Sequence, residues 1–377
     1  MKVTLVNLWP RSGMLHYSSQ LANALSAQED IDLSVVLARE TNTHLFSPDV
    51  RIKFVDVVTG TDLRQMVSAP RKLIGLPAFL RTIEETKPDI VHLNISHPWF
   101  IPTMPVLTRR YRVVATVHDV RPHPGLENTF RKRIERKVVM KHAHKMFVHG
   151  EDLKRQLLEK VPFRSPDDVH VTPLGGFSFF TKWVSDVERE EKTVLFFGRI
   201  RDYKGLEYLL EAAPKIVERV PGVRFLIAGE GNLRPYRNLF SESSTFDIHN
   251  RYVPDEEVAA FFQRACLVVL PYIEASQSGI VPIAYSFRLP VVATTVGCIP
   301  EAVDPGVTGI LVPPRNPAAL AEAVIDLLAN REKRERMGKS GYSKLLAELG
   351  WSDIALRTVE VYNELLRQPV GSGHKRR

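Results

Sequence analysis

Cysteine is scarce: the chain has two, Cys266 and Cys298, in 377 residues. Two thiols beside apolar runs build no disulfide framework and read as reduced core residues. Long apolar runs are missing as well. The longest, 265–273, is strand-sized and holds Pro271, far short of the roughly 18 residues of a membrane span. The first apolar run, 3–8, is too short for a secretory leader and no small-residue cleavage site follows it, which predicts a cytoplasmic protein. There is no G-x-G-x-x-G, no G-x-x-x-x-G-K-[ST] and no H-E-x-x-H, and no Cys/His cluster has metal-ligand spacing. Asp30-Ile31-Asp32 precedes a strand pattern rather than following one, so no metal is expected there. The sequon at Asn94 and Ser96 has no secretory context in which to be used. Without an aromatic RNP-like strand or zinc-finger spacing, nucleic acid is not expected as a partner.

What is present is ordinary globular composition, 44% hydrophobic and 25% charged, with a net charge of +8. The charge is uneven, +7 over residues 1–180 and +1 over 181–377. A basic half beside a near-neutral half points to an anionic partner on one side. From Arg131 to Lys145 basic residues recur with Ile134, Val138, Val139 and Met140 between them. That pattern fits a solvated helix face, or a surface that docks on anionic lipid.

Short apolar runs alternate with helical patterns along the whole chain. Strands are expected at 3–8, 32–37, 51–55, 90–93, 113–116, 145–148 and 169–172, with helices at 15–27, 73–86, 100–111 and 126–144. The second half repeats the rhythm. Its strands are at 193–197, 224–228, 246–252, 266–270, 291–294 and 310–312, and its helices at 205–220, 232–240, 255–265, 280–287 and 316–330. This predicts an α/β protein of two doubly wound Rossmann-like domains facing across a cleft. The expected division is into domains 1–175 and 176–351. An amphipathic helix over 352–368 follows, and 369–377 is a disordered tail. That helix carries Ile354, Leu356, Val359, Val361, Tyr362 and Leu366 as its apolar positions.

The chemistry-bearing residues follow strands, where ligands bind in such sheets. Gly198-Arg199 and Lys204-Gly205 close one strand. Gly198 permits a sharp turn, Arg199 offers a fork for phosphate and Lys204 a point charge; the plainer alternative is a pair of surface cations. Glu274 follows another strand and suits sugar hydroxyls as an acceptor, or serves as a helix-end charge. Ser276-Gln277-Ser278-Gly279 opens a helix, offering main-chain N–H groups to a diphosphate as well as capping. His118, with Asp119, ends a strand of the first half and could bond a sugar hydroxyl; a structural histidine is the alternative. Gly13 follows the first strand and could let the backbone approach a ligand, and Gly229 could flank the nucleotide.

Taken in order, Gly198-Arg199, Lys204-Gly205, Gly229 to Gly231, Glu274 with its turn, Pro290 to Thr294, Gly297 to Glu301 and Thr308 to Pro314 form one pattern. With Gly13 and His118-Asp119 they resemble the GT-B glycosyltransferases, specifically the retaining group 1 type known as glycosyltransferase family 4. The resemblance covers nearly the whole chain. It implies metal-independent transfer of a sugar from a nucleotide diphosphate donor, a UDP- or GDP-sugar, with retention at the anomeric carbon. Arg199, Lys204 and the amides of Gln277 to Gly279 would then neutralise the leaving diphosphate. Glu274 would hold the donor sugar and His118 would contact it; 1–175 would be the acceptor-side domain and 176–351 the nucleotide-sugar domain, with the helix over 352–368 crossing back to the first. One departure is plain. The family's second glutamate, about eight residues after the first, is replaced here by Pro282 or Ile283.

The reading is a cytoplasmic glycosyltransferase, at the inner face of the membrane, extending a glycan or a polyprenyl-diphosphate-linked acceptor in polysaccharide biosynthesis. A non-catalytic GT-B scaffold that binds a partner or membrane is the alternative. A sugar-nucleotide epimerase would need acidic groups in the first half that are not evident.

Overall fold

The computed structural model describes residues 1–10, 13–57, 69–94, 97–122, 130–240 and 245–367, without the side chains of 69–74 and 131. Arg11 and Ser12, the sequon's Ile95 and Ser96, the expected helix start at 126–129 and the tail 369–377 lie outside the described residues. The chain forms two units. One holds the residues up to Val120, the stretch that ends at Pro173 and the segment from Trp351; the other is built on Leu174–Gly350.

The first unit runs β1 (Lys2–Asn7), α1 (Gly13–Ser26), β2 (Asp32–Ala38), β3 (Arg51–Val55), α2 (Ala69–Thr86), β4 (Ile90–Leu93) and α3 (Phe100–Arg110). It continues with β5 (Arg112–Thr116), α4 (Phe130–His142), β6 (Lys145–Val148), α5 (Glu151–Lys160) and β7 (Val169–Val171). All pairings are parallel, in the order β3-β2-β1-β4-β5-β6-β7. Parallel sheets are covered on both faces, which is why β1, β4 and β5 are buried at successive positions rather than at alternate ones.

The helix Trp351–Arg367 belongs to this unit because its groups are satisfied there. The Arg112 guanidinium donates to the carbonyls of Leu365 and Leu366 at 3.0 and 3.2 Å, closing the helix C-terminus. Its buried face is Ile354, Ala355, Thr358, Val361, Tyr362 and Leu365. Leu356, expected on that face, is 50% exposed. Thr358 turns inward instead, its hydroxyl donating to the Ile354 carbonyl at 2.7 Å. Lys145 also corrects an expectation. It lies on β6, buried, and its ammonium donates to Glu364 at 2.7 Å and to the Asp167 carbonyl at 2.8 Å. It shares no basic surface with α4: the strand expected at 145–148 is present, and Lys145 belongs to it rather than to the basic helical pattern.

The second unit runs β8 (Thr193–Phe197), α6 (Leu206–Arg219), β9 (Arg224–Ala228), β10 (Phe246–His249), α7 (Asp255–Arg264), β11 (Leu267–Leu270) and α8 (Ile280–Ser286). Then come β12 (Val291–Thr294), α9 (Ile299–Ala302), β13 (Gly309–Val312), α10 (Pro317–Ala329) and α11 (Arg331–Glu348). Its parallel sheet has the order β10-β9-β8-β11-β12-β13. Crossovers therefore reverse between β8 and β11, the topological switch point. One buried core, including Phe196, Leu209, Phe225, Val269 and Val324, joins α6 and α10 to the sheet. The Asn316 side chain caps α10 by accepting from the Ala319 N–H at 2.9 Å. β10 stops three residues sooner than expected because the Arg251 N–H turns back onto the His249 carbonyl at 2.9 Å. The expected helix at 232–240 is a 3-10 stretch, Arg234–Leu239, with Pro235 in its first turn.

The loops after β8 and β11 are locked by main chain. The Ile273 N–H donates to the Tyr203 carbonyl at 2.9 Å. Gly205, at φ +64°, would place a Cβ 1.9 Å from the Pro271 carbonyl oxygen. Gly205→Ala combines a left-handed backbone with that collision, and should destabilise the chain by more than about 1 kcal/mol in urea denaturation. An unchanged midpoint would show that the two loops are not held against each other.

Candidate active site

The switch point of the second unit gathers most of the residues singled out above. Gly198 follows β8 with φ +115° and donates its N–H to the Ala228 carbonyl at 2.9 Å. Gly229, at φ +147°, follows β9, and a Cβ there would fall 2.0 Å from the Gly198 carbonyl oxygen. Two strand ends can approach this closely only without side chains. Arg199 is exposed and, among the described residues, makes no ion pair or hydrogen bond. Lys204 closes the short turn Asp202–Lys204, half-buried, with its ammonium 3.7 Å from the centroid of the Tyr272 ring.

The β11 loop supplies the other side. Glu274 is half-buried, and Ser276 and Ser278 are buried. The Ser276 carbonyl accepts from the Cys298 N–H at 3.1 Å, and Ser278 Oγ accepts from the Ile280 N–H at 3.3 Å. Among the described residues, the N–H groups of Gln277, Ser278 and Gly279 donate to no protein acceptor. Successive amides left over in a turn form an anion-binding concavity. Phe177 lies under Gly279, 3.1 Å from where a Cβ would stand. Pro282 and Ile283, where the family carries its second glutamate, are buried in α8.

The other expected residues, His118 and Gly13, belong to the first unit. A Cβ added at Gly13 would meet no described protein atom within 4 Å, so the space beside it is open. His118 has both ring nitrogens engaged. Nε2 lies 2.8 Å from the Asn94 carbonyl and Nδ1 2.8 Å from Nε2 of His149, whose own Nδ1 lies 3.1 Å from the Thr172 carbonyl. Carbonyls only accept, so both outer nitrogens must carry hydrogen. The inner contact then needs one further proton. Burial opposes this, pushing His118 down to about 4 against a smaller upward pull from Asp119, and His149 down to about 3. A neutral pair therefore gives up one of its outer bonds.

Polar residues sit at five neighbouring strand ends: Asn7, Asn94, His118, His149 and Thr172, all buried. Asn7 and Asn94 both donate to Ser18 Oγ, and Asn94 Oδ1 has no partner among the described residues. His92 lies beneath, bonded to Tyr362 at 2.5 Å and Thr116 at 2.8 Å, and burial pushes it down to about 3. The edge of the Tyr17 ring contacts His118 and His149 at 4.9 and 5.1 Å between centroids. Sequence reasoning singled out only His118 of this row. The signal it missed is positional, since Asn94, His149 and Thr172 also stand at the ends of expected strands.

Two family models match the chain, "Glycosyltransferase Family 4" over residues 11–175 and "Glycosyl transferases group 1" over residues 191–330. The chain belongs to the group 1, family 4 glycosyltransferases. A glycosyltransferase of Methanocaldococcus jannaschii is 33% identical over 47% of this chain and 46% of its own length, about half of each. The D-inositol 3-phosphate glycosyltransferase of Corynebacterium aurimucosum is 24% identical over 92% of this chain and 90% of its own. The sucrose-phosphate synthase structure from Thermosynechococcus elongatus superposes with a TM-score of 0.77 at 20% identity, covering 97% of this chain and 99% of that one. The fold is GT-B. No helix among the described residues is long and apolar enough to cross a membrane.

His92, His118 and His149 are neutral in the fold and protonatable when unfolded. Their stabilisation is present above pH 6.5, their ordinary pKa. It is lost as pH falls toward their folded values, at up to about 1.4 kcal/mol per histidine per pH unit. Unfolding of the first unit should thus require distinctly less urea at pH 5.0 than at pH 7.5. A midpoint independent of pH over that window would contradict burial of the row.

Proposed function

We propose that the chain is a retaining, metal-independent glycosyltransferase. It moves a sugar from a UDP- or GDP-sugar to a glycan or polyprenyl-diphosphate-linked acceptor in polysaccharide biosynthesis. The observation that carries this reading is the switch point of the second unit. There two cations, Arg199 and Lys204, and three main-chain N–H groups, Gln277 to Gly279, occupy the ends of adjacent strands. As the bond to the anomeric carbon breaks, negative charge grows on the leaving diphosphate. Donors already fixed in place stabilise that charge without reorganising. Glu274, beside the amide turn, accepts hydrogen bonds from hydroxyls of the donor sugar. His118 engages the sugar only when its ring gives up the Asn94 bond, which a neutral histidine pair allows.

A phosphorylated or lipid-borne acceptor is supported by two relatives. They are the corynebacterial D-inositol 3-phosphate glycosyltransferase and a phosphatidyl-myo-inositol mannosyltransferase of Mycobacterium leprae, 34% identical over 45% of this chain. Contact with an anionic, cytoplasm-facing membrane rests on α4, where Arg133, Lys137 and Lys141 recur every fourth residue and the first two are exposed. The scaffold alternative is kept by one observation, the buried Pro282 and Ile283 in place of a ribose-binding carboxylate. Release of a nucleoside diphosphate from a sugar donor by the purified chain excludes it.

Arg199→Ala and Lys204→Ala should each lower turnover about a hundredfold or more, measured as nucleoside diphosphate release from the preferred donor. Donor binding and turnover unchanged in both variants would defeat the reading.

A further inference from the structure

Lys204 extends its ammonium over a ring that is almost wholly enclosed. Tyr272 is 1% exposed, and Lys204 Nζ stands 3.7 Å from its centroid, against 5.3 Å for the neighbouring Tyr203. A cation over a desolvated aromatic face is held by the ring quadrupole, and the enclosure that excludes water strengthens that hold. The far end of the same ring reaches the amide turn, with the hydroxyl 3.3 Å from Ser278 Oγ. Burial pushes that hydroxyl up to about 12, so it keeps its proton. The Tyr272 backbone is fixed too. Its carbonyl accepts from Thr294 Oγ1 at 2.6 Å, and the next N–H, of Ile273, binds the Tyr203 carbonyl at 2.9 Å.

We propose that Tyr272 is the positioning residue of the diphosphate cradle: its face sets the Lys204 ammonium and its hydroxyl meets the turn that offers the free amides. The inference rests on the reading of Lys204 as a diphosphate ligand and adds how that cation is placed. A lysine has four rotatable bonds and keeps one geometry only when something holds it. With Tyr272 removed, Lys204 keeps its charge and loses the ring face under its ammonium. Two roles of the side chain separate by substitution. Tyr272→Phe retains the face and loses only the contact with Ser278, whereas Tyr272→Leu loses both.

The test is equilibrium binding of UDP, GDP and ADP to the full chain, followed with the nucleotide that the parent binds most tightly. Tyr272→Phe should bind within about threefold of the parent, and Tyr272→Leu about ten- to thirtyfold more weakly. In a Lys204→Met background, Tyr272→Leu should cost nothing further, because its effect passes through the ammonium. An equal loss in both backgrounds, or no loss in either, overturns the proposal. If Tyr272→Leu does not fold, the ε-methylene protons of Lys204 decide. Ring current should move them upfield in the parent and in Tyr272→Phe, and ordinary lysine shifts in both would overturn it. Lys204→Met binding as well as the parent defeats the donor reading itself. Failure of the parent to bind any of the three nucleotides defeats both readings.

Discussion

The main-chain contact between the loops after β8 and β11 underlies everything else proposed for this molecule. One hydrogen bond, from Ile273 to Tyr203, and one side-chain-free crossing, Gly205 against Pro271, hold two strand ends in fixed relation. That relation puts a guanidinium, an ammonium and a turn of unpaired amides on the same rim of one sheet. A diphosphate carries its charge over several oxygens, and only donors fixed together can meet it without paying for reorganisation at the moment of reaction. The same constraint explains the glycines. Gly198, Gly205 and Gly229 all have positive φ, and at Gly205 and Gly229 a side chain would strike a neighbouring carbonyl.

The first unit solves a different problem. Five strand ends bring Asn7, Asn94, His118, His149 and Thr172 into a buried polar row. Every such group must find a partner or destabilise the fold. The row satisfies most of them internally, at the expense of a histidine pair that is one proton short of its full set of bonds. His118 is therefore a hydrogen-bonded group rather than a free one, held between the Asn94 carbonyl and His149.

Much of the fold was legible because parallel strands buried on both faces leave unbroken apolar runs, as in Val194 to Phe197 and Leu267 to Leu270. Arg199, Lys204 and Glu274 were visible because each stands just past such a run. Tyr272 was not. An aromatic inside an apolar stretch looks like ordinary core, and only its distance to Lys204 gives it another role. Lys145 was counted with the basic helical pattern although the strand expected at 145–148 begins with it, and there it is buried and paired with Glu364. Leu356 shows that hydrophobicity alone does not fix a helix face when a threonine can satisfy its hydroxyl within the helix.

The most direct measurement of the central claim is a crystal structure of the chain grown with UDP and, in parallel, with GDP. The account predicts phosphate oxygens bonded to Arg199, Lys204 and the N–H groups of Gln277 to Gly279, at the ends of β8 and β11. A diphosphate bound elsewhere on the chain, with those groups left to solvent, would contradict it.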